Sequence, residues 1–368
     1  MIEVASTKKY LLNSYLHLSK DNNMSNQESI SKFWFLVIPL SLLVVVFGFL
    51  IIIIPSNAVL LISSNNYLGI SNFAYGQQEE QENQITPDIT TNSLNVQNIS
   101  SKKVHVGDID IAYKTFGKGD PIILINGYTF AMDSWDPVLL RKLAANHTVI
   151  IFDNRGIGNT TSGDEKVYSI RLFANDTAGL LEALKISKAD VLGWSMGGAI
   201  AQELALNYPD RIEKLIVYAS FCSPVKFVRP SQEVLNALTN ETGTAEDRIE
   251  RFLPLIFSEK WRNENPNYLE GIPKTTETIS NQTLSHQLKA IVNWAGICNK
   301  LTNITQPTLV IVGTEDIATP PANSLQITEQ IPGAWLVQMK EGGHGLMYQY
   351  PEQFSKIVET FLENTNTL

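Results

Sequence analysis

From Ser101 onward the chain alternates short apolar runs with amphipathic stretches, and that alternation restricts the folds open to it. The runs Pro121–Asn126, His147–Asp153, Ala189–Trp194, Lys214–Ser220, Pro307–Gly313 and Ala334–Met339 carry almost no charge. Their length and continuity fit strands buried on both faces. Between or after them, Ser169–Ile186, Gly197–Ile212 and Glu352–Asn364 place apolar residues at helical spacing. Strands that alternate with helices imply right-handed crossovers and a mostly parallel sheet covered on both sides. Ahead of them, "KVHVGDIDIAYKTFG" alternates apolar and polar residues around a Gly-Asp turn, the pattern of an antiparallel hairpin. Two hairpin strands and six runs predict a doubly wound α/β domain with an eight-stranded sheet over residues 101–368.

One region breaks the rhythm. Residues from about 221 to 305 contain no buried run, only short helical patterns rich in Trp, Phe, Tyr, Asn and Pro. That insertion is too long for a simple connection. It reads as a mainly helical cap over the strand ends, with Trp261, Tyr268 and Trp294 either lining a substrate pocket or forming the cap's own small core.

The first hundred residues have a different character. Phe33–Ile54 carries no charge across 22 residues, enough for a helix to cross a hydrocarbon core of about 30 Å. Lys8, Lys9, Lys20 and Lys32 precede it, and no Lys or Arg follows until Lys102. The positive flank stays in the cytoplasm, which sends the remainder outside. The expected organisation is a cytoplasmic segment (1–32), a single-pass anchor (33–62) and a polar linker (63–100). Small residues at Ala74 and Gly76 offer a cleavage site that would instead release a secreted protein; the retained anchor is favoured. Seven Asn-x-Ser/Thr sequons downstream, at Asn98, Asn146, Asn159, Asn175, Asn240, Asn281 and Asn303, suit an external location.

Composition excludes several functions. Acidic side chains outnumber basic ones, 37 to 28, without any cationic cluster, so a nucleic-acid partner is not expected. The five histidines are scattered and no Cys/His group has metal-ligand spacing; neither metal nor cofactor is expected. Cys222 and Cys298 are too few for a disulfide framework, and two buried thiols are expected, a single bridge being the alternative.

The chemistry gathers around "VLGWSMGGAI". Gly193-Trp194-Ser195-Met196-Gly197 lies between a buried run and a helix that opens with small residues, where a tight turn can hold the Ser195 hydroxyl exposed. A serine needs a base to take its proton and an acid to orient the base. Asp316 follows the run ending at Gly313, with Glu315 as the competing acid or Asp316 as a simple helix cap. His344 sits in the glycine-rich loop "EGGHG" after the last run. His105, His147 and His286 have no comparable setting.

The order Ser195, Asp316, His344, with "DNRGIGNT" (Asp153–Thr160) and "GWSMGGAIAQELALNYPDRIEKLIVYAS", resembles the α/β-hydrolase superfamily, in its lactonase, esterase and cofactor-free haloperoxidase-like branch. The resemblance covers residues from about 102 to the C-terminus. It implies that Ser195 is the nucleophile, His344 the base and Asp316 its orienter, with an oxyanion hole made by the backbone N–H groups of Met196 and Tyr128. Asn126 stands where relatives commonly carry His. A serine at the elbow implies acyl chemistry on a small ester or lactone. Carbon–carbon bond hydrolysis on the same triad, or a non-catalytic binding or sensing module of the same fold, are the alternatives.

Overall fold

The computed structural model describes residues 61–63, 96–240, 242–243, 245–273 and 279–364. The apolar stretch Phe33–Ile54, the cleavage site near Gly76 and most of the expected linker lie outside them. Among the described residues no helix is long and apolar enough to cross a membrane.

One sheet organises the chain. A three-residue strand β1 (Leu61–Ser63) is followed by β2 (Lys102–Val106), β3 (Ile109–Gly117), β4 (Asp120–Ile125), β5 (His147–Phe152), β6 (Ala189–Trp194), β7 (Ile212–Tyr218), β8 (Thr308–Gly313) and β9 (Trp335–Met339). Their order is β1-β9-β8-β7-β6-β4-β5-β3-β2. The pairs joining β5, β4, β6, β7, β8 and β9 are parallel, and β2, β3 and β5 pair antiparallel. The eight strands from β2 to β9 form the expected mostly parallel sheet. Strand β1 adds a short antiparallel edge beside β9, at the boundary of the expected anchor and linker.

Strict alternation divides the central strands between two cores. Ile123, Ile125, Val191, Leu215, Val217, Val310 and Val312 face one side, where α2 (Ile170–Ala183) and α3 (Met196–Asn207) pack. Ile122, Leu124, Leu192, Trp194, Ile216, Tyr218, Leu309 and Ile311 face the other, against α1 (Pro137–Asn146) and the C-terminal α10 (Pro351–Glu363). Burial on both faces is why these strands read as continuous apolar runs. Helix α1 was not expected from the apolar pattern, although its start is marked: Asp136 accepts from the N–H groups of Val138 and Leu139, and Pro137 opens the first turn.

The insertion is helical where described. It contains α4 (Gln232–Thr239), α5 (Ala245–Ile256), α6 (Glu259–Glu264) and α7 (Asn281–Val292), of which α4, α6 and α7 are capped by Ser231, Ser258 and Ser280. Helices α8 (Ala322–Gln330) and α9 (Leu346–Gln349) follow β8 and β9. The expectation of two free thiols is corrected. Cys222 and Cys298 form a disulfide, with Cα atoms 5.0 Å apart across 76 residues of sequence. The fold brings the two ends of the cap together: Ile297 N–H donates to Cys222 O at 2.7 Å. Nothing local in the sequence announces that proximity.

Ionisable side chains are also buried away from the carboxyl ends of the strands. Arg155 lies between Asp108 and Asp176, 2.7 Å from each. Asp190, at the start of β6, is buried, and its carboxyl is pushed up to about 6, chiefly by burial, with Lys214 opposing the shift. A raised folded pKa means that the native state holds this proton more tightly than the unfolded chain. Its stabilising effect is complete below the unfolded value and is lost as pH rises through about 6. Asp190→Asn is therefore expected to raise unfolding free energy at neutral pH by about 2 kcal/mol while changing little near pH 4, as measured by urea denaturation at both values.

Candidate active site

The strand-to-helix turn after β6 is built by close backbone approach. A Cβ at Gly193 would lie 2.2 Å from Gly197 O, and one at Gly197 would lie 2.0 Å from Ile125 O. Only a hydrogen fits at either place. The tight crossing forces Ser195 into φ 57°, ψ −117°, a conformation costly for a residue with a side chain. Its N–H is held by Tyr218 O at 2.9 Å, and its carbonyl accepts the Ser220 hydroxyl at 2.7 Å. Ser195 stays partly exposed while its neighbours are buried.

Two loops meet this turn. After β8, Asp316 is buried, and one carboxylate oxygen accepts the backbone N–H groups of Ala318 and Thr319 at 2.9 and 2.7 Å. Its other oxygen lies 2.9 Å from His344 Nδ1. Against a carboxylate, Nδ1 is the donor, which leaves Nε2 of the neutral ring as the basic nitrogen. The Thr319 hydroxyl lies within bonding distance of Asp316 Oδ2, Ala219 O and His344 Nδ1. Glu315, the competing acid, is exposed. The His344 loop is fixed on both sides: Gly343 N–H donates to Gln349 Oε1 at 2.6 Å, and Gly345 N–H donates to Ile256 O of the cap at 2.7 Å.

The third component is the loop after β4. A Cβ at Gly127 would lie 3.1 Å from Ser195 Cβ, so the peptide leading to Tyr128 adjoins the serine. Phe130 N–H turns back on Gly127 O, and Thr129 has φ 74°. Asn126, in place of the more common His, donates its side-chain amide to Ala131 O at 2.7 Å, and its backbone carbonyl accepts from the Asn154 side chain at 3.2 Å. The Asn126 side chain thus tethers the loop. Met196 is the first residue of α3. Its N–H belongs to the helix's first turn, where donors lack intrahelical acceptors and the dipole is positive.

Sequence reasoning missed four contributors. Thr319 carries a recognisable signal, an Asp-x-x-Thr turn that folds on itself. Trp194 and Tyr218, whose polar atoms reach the His344 carbonyl, read only as apolar strand residues. Gln287, fully buried on α7, accepts the Thr129 N–H at 3.1 Å and carried no local signal. The cap aromatics take defined places. Phe257, Trp261 and Tyr268 pack on one another at 5.1 to 5.9 Å, while Trp294 donates to Glu203 of α3 at 2.8 Å and joins the sheet core. His105 pairs with Asp110, and His286 packs on Tyr168.

Comparison with known proteins gives a class. The family model for the alpha/beta hydrolase fold matches residues 120–351. A "Putative carbamate hydrolase RutD" of Azorhizobium caulinodans is 29% identical over 260 residues, 70% of this chain and 96% of that protein. The pimeloyl-[acyl-carrier protein] methyl ester esterase of Aeromonas hydrophila is 27% identical over 268 residues, 69% of this chain and 100% of that protein. Among solved structures, the enol-lactonase of Burkholderia xenovorans LB400 superposes with a TM-score of 0.62 at 25% identity, covering 72% of this chain and 100% of that one. The chain belongs to the α/β-hydrolase family. Its named relatives make it a hydrolase.

Thr319→Val keeps the shape of the side chain but strips the buried Ala219 carbonyl and Asp316 of a donor. The expected cost is about 1–2 kcal/mol of unfolding free energy, read from urea denaturation beside Thr319→Ser, which should recover most of it.

Proposed function

We propose that the protein cleaves small carboxylic esters or lactones through an acyl-enzyme, with Ser195 as nucleophile, His344 as general base and acid, and Asp316 as its orienter. The observation that carries this reading is the buried Asp316–His344 bond, together with a serine held at φ 57° directly after Trp194, whose indole donates to the His344 carbonyl. In this mechanism Ser195 Oγ attacks the carbonyl carbon as its proton passes to His344 Nε2. The oxyanion that forms is met by the backbone N–H groups of Tyr128 and Met196, a contribution of about 3 kcal/mol per donor. Collapse breaks the bond to the leaving oxygen, which takes the proton from His344. Water, activated by the same ring, then releases the acid and restores Ser195.

Ester and lactone substrates are favoured by the named activities of the esterase and enol-lactonase relatives. The reading extends to location: a single-pass anchor at residues 33–62 with the hydrolase domain outside the cytoplasm. The lysine-rich flank before an uncharged stretch supports it. So does the Cys222–Cys298 disulfide, since such bonds persist mainly in oxidising compartments. All seven sequon asparagines are exposed, which is compatible with the same location.

The test is covalent labelling of the protein by a fluorophosphonate probe beside Ser195→Ala. Labelling of the parent and its loss in the variant are expected. A folded parent that resists the probe would move the binding-module alternative ahead. Asp316→Asn should lower kcat for an ester substrate by about 10³–10⁴-fold while leaving the fold intact by circular dichroism.

A further inference from the structure

The His344 carbonyl oxygen receives two side-chain donors. The Tyr218 hydroxyl donates to it at 2.6 Å and Trp194 Nε1 at 3.1 Å. A carbonyl has two lone pairs, so one oxygen satisfies both. The donors come from the carboxyl ends of neighbouring strands, β7 and β6, and both residues are fully buried. Their rings stack at 5.8 Å with an interplanar angle of 11°, and the Trp194 ring also lies 5.6 Å from the imidazole of His344.

Both residues also hold the serine. Trp194 immediately precedes it, and Tyr218 O accepts the Ser195 N–H at 2.9 Å. Tyr218 is therefore bonded to Ser195 through its main chain and to His344 through its side chain. Other anchors of the His344 loop come from different elements: Gly343 to Gln349 of α9, Gly345 to Ile256 of the cap, and the imidazole to Asp316 and Thr319 of the loop after β8. The phenol also accepts the Met347 N–H at 3.3 Å, and burial raises its pKa well above the ordinary tyrosine value, so it remains a donor at physiological pH. Packing alone gives no reason for the hydroxyl. A phenylalanine would fill the same place against Trp194 and Phe354 without burying a polar atom that must find a partner.

We propose that Tyr218, with Trp194 beside it, is a positioning residue that fixes the separation of the Ser195 elbow and the His344 loop. The inference rests on the serine-hydrolase reading above. A base displaced by about 1 Å from its nucleophile loses up to about 100-fold in rate, and the two hydrogen bonds on one carbonyl restrain that displacement from the elbow side.

The experiment uses the full chain, a p-nitrophenyl ester and a fluorophosphonate titrant that counts reactive serines. Tyr218→Phe is expected to lower kcat per titrated site by about 10- to 100-fold with KM within about twofold. In a His344→Ala background the same change should alter the rate by less than about twofold, because a residue acting through His344 has nothing left to position. Two results would overturn the proposal. One is unchanged kcat per titrated site in Tyr218→Phe, with any loss confined to the fraction of protein that titrates. The other is an equal fall with and without His344. Parent protein that does not react with the titrant, or that reacts equally after Ser195→Ala, would instead overturn the serine-hydrolase reading beneath it.

Discussion

Everything at the candidate site depends on how closely one strand and one helix can approach. At the β6–α3 crossing a Cβ on Gly193 would strike Gly197 O, and one on Gly197 would strike Ile125 O of the adjoining β4. The same compression holds Ser195 in a conformation it would otherwise avoid. Gly198 extends the constraint, since a Cβ there would lie 2.5 Å from Ser220 Cβ. The strain is borne by the sheet: β6 is buried along its full length and paired on both edges. A local distortion of this kind survives only where the surroundings over-determine it.

That dependence explains which parts of the molecule were legible in the sequence. Strands β4 to β9 face two cores at once, and continuous apolar runs are how such burial is written. The elbow is equally visible, because close approach can be met only by glycine and so leaves a G-x-S-x-G trace. Helix α1 escaped because its buried residues, Leu139, Leu140 and Leu143, make a narrow stripe between two strong strand signals. The disulfide escaped for a different reason. Its partners are 76 residues apart, and only the return of the chain from the cap to the end of β7 makes them neighbours. Tyr218 and Trp194 were hidden because their rings obey the apolar pattern while their single polar atoms do not.

The cap is fastened to the parts of the site that a substrate would meet. Gln287 takes the Thr129 N–H beside the proposed oxyanion donor Tyr128, and Ile256 takes the Gly345 N–H beside His344. Trp294 reaches down to Glu203 on α3, and the Cys222–Cys298 bond closes the insertion at its base. A cap that merely covered the sheet would need packing alone. One that hydrogen-bonds main-chain groups on both loops fixes their relative positions. Sequence change in the cap can then alter substrate range while those main-chain contacts are kept.

The same logic bears on Asn126. A histidine-to-asparagine exchange next to an oxyanion loop looks damaging if the side chain is taken as the functional group. Here the proposed donors are backbone N–H groups, which no substitution removes. The side chain is left with the task of shaping the loop, and Asn126 does so through its bond to Ala131 O. Asn154, Gln287 and the Gly127–Phe130 turn supply further tethers within a few residues. With four restraints sharing that task, the identity of any one of them is a weak constraint on activity. The geometry of the Gly127–Tyr128 peptide against Ser195 is a strong one.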